Sequence, residues 1–178
     1  MEFKLTTLDN GLRIAAEVNP DVASMAMGFF CKTGSRDETP EVAGVSHFLE
    51  HMMFKGTARR GPLDINREFD EIGADYNAST SEEMTTYYAA VLPEFQDQVV
   101  DLWCDMLRPM LKTEDFDMEK EVILDEIARY EDVPYFRTYV KAMSVFFAGH
   151  PLAGDVLGSR ESIGAMTAEN MRTYFERQ

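Results

Sequence analysis

A chain of 178 residues, 45% of them hydrophobic, is long enough to bury one ordinary core, so a single domain spanning 1–178 is expected. The formal net charge of −15 argues against nucleic acid, whose phosphates would be repelled, and suits a solubility role or basic peptides. No stretch of about 18 uninterrupted apolar residues occurs, which argues against a membrane span, and Met1-Glu2-Phe3-Lys4 lacks the regions of a signal peptide, so a soluble, cytoplasmic protein is expected.

Taken in chain order, Lys4 to Leu8 and Leu12 to Val18 read as strands joined across Asp9-Asn10-Gly11, a turn sequence suited to positive φ. After the Asn19-Pro20-Asp21 break, Val22 to Thr33 reads as a third, well-buried strand. A helix follows from near Val42 to Lys55, stopped by Gly56, and the basic residues Lys55, Arg59 and Arg60 read as an exposed loop end. Leu63 to Ile72 is a further helix, ended by Gly73. On its residues alone Asn77-Ala78-Ser79-Thr80 reads as a loop leading into the strand Thr85 to Val91.

Pro93 then opens a helix through Leu107, with apolar positions at Val99, Val100, Trp103, Met106 and Leu107. Thr113 to Glu131 is helical with Thr113 as N-cap, and Tyr135 to Phe147 is another helix. The last begins at Thr167, where Met166 and Met171 are placed to form a hydrophobic staple around the cap. Cys31 and Cys104 fall in a strand and a helix rather than at ligand spacing, and read as buried free thiols. Hairpin strands followed by clustered helices give an α+β class, an antiparallel sheet with helices packed on one face.

The most informative segment is His47-Phe48-Leu49-Glu50-His51, which holds two of the three histidines of the chain. On a helix His47 and His51 share one face about 6 Å apart, close enough to chelate a single ion, and Glu50 flanks the same face. A zinc hydrolase needs about three protein ligands, an open position, and a base to take a proton from the attacking water. The order, with Glu beside the second histidine, is the reverse of the commoner His-Glu-x-x-His helix. Met52 and Met53 face different sides of this helix and read as core packing rather than as ligands.

Spacing alone does not choose a third ligand among 32 acidic residues and His150. Periodicity narrows the field. In Thr113 to Glu131, Phe116, Ile123, Ile127 and Tyr130 trace one apolar face, and Glu119, Val122 and Glu126 form an adjoining stripe. Two carboxylates beside an apolar face need a partner, and a divalent cation is a good one.

With both segments in view the chain resembles the pitrilysin or insulinase family of inverted-motif zinc peptidases, the processing-peptidase beta subunits among them. The likeness runs from Leu8-Asp9-Asn10-Gly11-Leu12 through Gly34-Ser35-Arg36-Asp37-Glu38 and Ala43 to Thr57, then resumes at Gly73-Ala74, Asn77 to Glu83, and Glu119 to Ile127. The resemblance implies a zinc endopeptidase acting on unstructured peptides or presequences. It assigns zinc to His47, His51 and Glu126, the general base to Glu50, and ligand orientation to Glu119. It also implies that Asn77, Ala78, Ser79 and Thr80 form an edge strand to which substrate adds by main-chain hydrogen bonds, and that Phe48 contacts substrate. Family members carry two homologous domains that close like a clamshell, so 1–178 would be a catalytic domain incomplete at its C-terminal end, with a second domain or subunit as partner. The competing class is a non-catalytic peptide-binding or assembly subunit with structural zinc. Such zinc is normally closed by four ligands and is often thiolate-rich, and here both cysteines lie far from the motif.

Overall fold

Five strands form two separate antiparallel sheets, and seven α-helices follow or interrupt them. The computed structural model describes residues 1–178. Strands β1 (Glu2–Thr7) and β2 (Arg13–Val18) pair with each other alone, while β3 (Met25–Cys31), β4 (Asp75–Thr80) and β5 (Thr85–Val91) form a sheet in the order β3-β5-β4. The helices are α1 (Val45–Met52), α2 (Pro62–Glu71), α3 (Gln96–Met106), α4 (Thr113–Glu131), α5 (Pro134–Phe146), α6 (Arg160–Ala165) and α7 (Ala168–Arg177). None is long and apolar enough to cross a membrane.

Period-two alternation places Thr85, Tyr87, Ala89 and Val91 of β5 on one buried face. Ile65 and Phe69 of α2 and Val99, Leu102, Trp103 and Met106 of α3 complete this first core. A second core joins α1, α4, α6 and α7 through Val45, Phe48, Met52, Ile123, Ile163 and Met171, none with measurable exposure. A side chain of this size contributes about 1.5–3 kcal/mol when fully buried. Met52 belongs to the second core and Met53 to the first, so α1 is the shared wall between them.

The hairpin forms across Asp9-Asn10-Gly11, with Gly11 at φ 86° and the Leu8 N–H donating to the Leu12 carbonyl at 2.8 Å. All residues of β1 and β2 are exposed. Strand β3 is shorter than Val22 to Thr33 and only half-buried, because it lies at a sheet edge and pairs with β5 alone. Asn77-Ala78-Ser79-Thr80, a loop by composition, is the end of the opposite edge strand. The expected cap at Thr113 is displaced by one residue: Lys112 is the N-cap, and the Thr113 hydroxyl accepts from Arg172 at 2.9 Å.

Helix α6, which periodicity did not single out, is set by Ser159, whose hydroxyl accepts from the Ser162 N–H at 3.1 Å. Thr167 caps α7 in the same way, accepting from the Asn170 N–H at 3.1 Å, with Met166 and Met171 buried on either side. Both cysteines are free, but neither is buried: Cys31 is half-buried on the edge strand, and Cys104 points outward from α3. Cys31 shares the inward face of β3 with Met25, Met27 and Phe29 and packs against the first core, but the edge position leaves it partly open, whereas helical phase turns Cys104 outward.

Candidate metal centre

Helix α1 begins at Gly44, which sits at φ 91° with the Leu157 carbonyl only 2.6 Å from where a Cβ would be. A residue without a side chain cannot cap, and the free N–H groups are taken instead by Glu38. Its two carboxylate oxygens accept from the Gly44 and Ser46 N–H groups at 2.6 and 2.8 Å. Burial pushes the Glu38 carboxyl up while these bonds pull it down, with a net rise. Glu38 lay inside the matched segment without an assigned role; its only signal was an acid just upstream of a helix whose N-cap is glycine.

The helix turns Phe48 inward, without measurable exposure, against Phe116 of α4 with ring centroids 4.5 Å apart. Phe48 is therefore a core residue and not a substrate contact, since the same stacking that fixes α1 on α4 closes its ring off. That packing brings together the neighbouring polar stripes of the two helices.

His47 Nε2 and His51 Nε2 lie 3.2 Å apart, and Glu126 Oε2 lies 3.7 and 3.5 Å from them. A tetrahedral zinc with bonds of about 2.05 Å requires ligand atoms roughly 3.3 Å apart. The three donors fit that ion with small adjustments, and they are the single group of histidine, cysteine or carboxylate atoms converging in this way. His150 is elsewhere, its Nδ1 accepting from the Leu152 N–H at 3.2 Å.

Electrostatics divide the two imidazoles. Burial, reinforced by His51, lowers His47 to about 3, so its ring is neutral and offers a lone pair at neutral pH. Burial also opposes charge on His51, but the hydrogen bond and charge of Glu119, with Glu126 and Glu50, lift it above its usual value. The orphaned, buried Nδ1 of His47 is the remaining imperfection.

Glu119 is 4% exposed and lies beside the ligands rather than among them. Its Oε1 is 2.8 Å from His51 Nδ1 and its Oε2 is paired with Lys55. Burial would raise it, yet these two partners hold it below the usual carboxylate range. Glu50 stands on the other side, where its Oε2 accepts from the Thr80 hydroxyl at 2.5 Å. Burial raises the Glu50 carboxyl against that bond.

Strand β4 therefore touches the cluster through Thr80, while Asn77 and Ser79 point outward from the open edge. The Ala78 N–H is occupied by its neighbour, donating to Asn77 Oδ1 at 2.8 Å.

The basic trio is not an exposed loop end. Lys55 reaches Glu119, and Arg60, 11% exposed, donates to Glu68, Asp101 and Asp105. Arg59 remains exposed but grips Asp101 with two bonds at 3.0 and 2.9 Å. Burial would raise Asp105, but Arg60 and Thr57 pull it below its usual value.

Comparison with known proteins gives a consistent picture. The profile of the insulinase family, peptidase family M16, matches residues 13–159. An uncharacterized zinc protease of Streptomyces coelicolor is 40% identical over 173 residues, covering 97% of this chain and 38% of that protein. A probable mitochondrial-processing peptidase subunit beta of Arabidopsis thaliana is 36% identical, covering 98% and 33%. The crystal structure of a protease from Helicobacter pylori superposes with a TM-score of 0.92 at 23% identity, over 98% of this chain and 42% of that one, a likeness of fold. The chain spans between a third and about two fifths of these proteins.

Proposed function

The chain belongs to the insulinase family of peptidases, peptidase family M16, and from that membership and the cluster geometry we propose that it carries the zinc and base half of a metalloendopeptidase. His47, His51 and Glu126 would hold the ion, as the spacing of their three donor atoms supports. Zinc bound there supplies a Lewis acid that acidifies water and polarises a peptide carbonyl. The observation that carries the reading is a set of three converging donors rather than four. Structural zinc is closed by four protein ligands, whereas three leave a position for water or substrate. No cysteine is in the cluster, which speaks against the purely structural alternative.

Glu50 is the general base. Its half-buried carboxylate, held by Thr80, accepts the proton lost by the attacking water and returns it to the departing amine. Glu119 orients His51 by accepting from Nδ1, which leaves Nε2 to face the ion. An extended peptide would add to the open edge of β4, where Asn77 must release the Ala78 N–H before that group can pair with substrate. Strand addition reads backbone more than side chain, which suits unstructured peptides or presequences. The second homologous half would close over this edge.

The test is Glu50→Gln in the enzyme assembled with that half. Cleavage of a quenched unstructured peptide is expected to fall by about 10²–10⁴-fold, the range for loss of a general base, with zinc content unchanged. Retained cleavage would remove Glu50 from the mechanism.

A further inference from the structure

Beyond the proposed ligands and base, the geometry points to Lys55 as a positioning residue: we infer that its ammonium group anchors one oxygen of Glu119, so that the other stays on His51 Nδ1 and the ring keeps Nε2 turned toward His47 and Glu126. This rests on the zinc reading and extends it to a side chain outside the motif.

Glu119 is 4% exposed and has two oxygens with two partners, His51 Nδ1 on Oε1 and Lys55 Nζ on Oε2. A carboxylate this buried is costly unless it is paired. No other lysine or arginine nitrogen comes within the 4.0 Å ion-pair distance of Glu50, Glu119 or Glu126. Lys120, next to Glu119 in sequence, turns away and donates to the Gly164 and Met166 carbonyls at 3.0 and 2.7 Å. Lys55 is thus the sole fixed cation beside three acids.

The backbone is built to aim it. The Lys55 N–H donates to the Met52 carbonyl at 3.1 Å, prolonging the turn of α1 past the motif. Gly56 follows at φ 113°, a conformation that L side chains rarely adopt, and its carbonyl accepts from the Met110 N–H at 3.1 Å. The next residue, Thr57, bridges Pro109 and accepts through its hydroxyl from the Arg59 and Arg60 N–H groups. Lys55 therefore leaves a clamped segment, with its side chain one-third exposed and its charged end on Glu119. The consequence is positional: with Oε2 anchored by Lys55, Oε1 is held 2.8 Å from His51 Nδ1 and fixes the orientation of that ring, whereas a carboxylate free to turn would not.

The experiment measures zinc dissociation constants on the 178-residue chain by competition with a chromophoric chelator, with circular dichroism and a thermal midpoint for each variant. Lys55→Met is expected to weaken zinc by about 10–100-fold, the range for loss of an outer-shell partner, with Lys55→Arg within about threefold of wild type. In a Glu119→Gln background Lys55→Met should cost less than about twofold, since the group it acts through is already gone. Lys55→Gln serves as the second neutral variant if Lys55→Met does not fold. Wild-type affinity in the folded neutral variant, or an equal loss in both backgrounds, would overturn the assignment. Absence of zinc from the wild type would instead bring down the metal reading on which it stands.

Discussion

Two clusters of charged side chains flank the segment that leaves α1, and they are built on opposite plans. Around Arg60, donors and acceptors match: its guanidinium meets Glu68, Asp101 and Asp105 within 3.0 Å, and Thr57 donates to Asp105 at 2.7 Å. Around His51, acceptors outnumber donors, and two imidazole nitrogens and a carboxylate oxygen face one another at 3.2 to 3.7 Å. The first cluster is complete without any added species and braces the loop against α2 and α3. The second converges three potential donor atoms, Nε2 of His47 and of His51 and Oε2 of Glu126, a geometry that one cation could satisfy. A count of charges would not separate them; the direction of the donors does.

Substitutions that remove one charged member from each cluster should separate the two plans most strongly. Glu126→Gln is expected to weaken zinc retention at least tenfold, on the scale for metal-site partners, without lowering the thermal midpoint of the metal-free chain. Zinc content after dialysis, read beside the melting curve, checks both halves of that statement. A metal-free midpoint well below wild type would place Glu126 among the braces.

Arg60→Met should do the reverse. Leaving Asp105 buried without its cation is expected to cost about 3 kcal/mol of stability, with zinc affinity unchanged, as denaturant unfolding and chelator competition would report. Acid sharpens the contrast. Bonds from Arg59 and Arg60 hold Asp101 down to about 2, below its ordinary 3.8. Between those values the unfolded chain binds more protons, so stability rises with pH in that window. The contribution of the brace is therefore complete above about pH 4 and is lost as pH falls toward about 2. Arg60→Met combined with Arg59→Met should flatten the fall in thermal midpoint across this window, and an unchanged slope in the double variant would exclude Asp101 as its source.

The smallest effect belongs to Thr80, which bonds to Glu50, the proposed base, and to none of the proposed ligands. Thr80→Val is expected to lower turnover by about tenfold or less, the scale of the net 0.5–1.5 kcal/mol of one typical hydrogen bond, with zinc binding intact and Thr80→Ser close to wild type. A change in zinc affinity would show that Thr80 acts on the metal cluster after all.

What the sequence disclosed follows from how locally each feature is encoded. The hairpin turn at Asn10-Gly11, the apolar stripe from Phe116 to Tyr130 and the methionine staple are patterns within a few residues of one another, and each is found in the structure. Strand β4 was hidden because Asn77, Ala78 and Ser79 have little intrinsic strand preference; pairing with β5 makes them a strand. Within the candidate site, the histidine pair and the stripe of Glu119 and Glu126 could be seen along their own helices, but not that Phe48 stacking on Phe116 would join them. The contacts that Glu38, Lys55 and Thr80 make could not be read, since their partners lie 6 to 64 residues away and depend on a glycine start, a clamped turn and a strand end. Lys55 in particular looks like any lysine after a helix until Glu119 is brought beneath it.

The central claim is that the cluster of α1 and α4 is a metal site, and zinc stoichiometry on the purified chain tests it most directly, wild type beside His51→Ala. The account predicts one zinc per chain, removed by the substitution while the fold is retained. A wild type that binds no zinc, or a variant that binds it as well as the wild type, would contradict it.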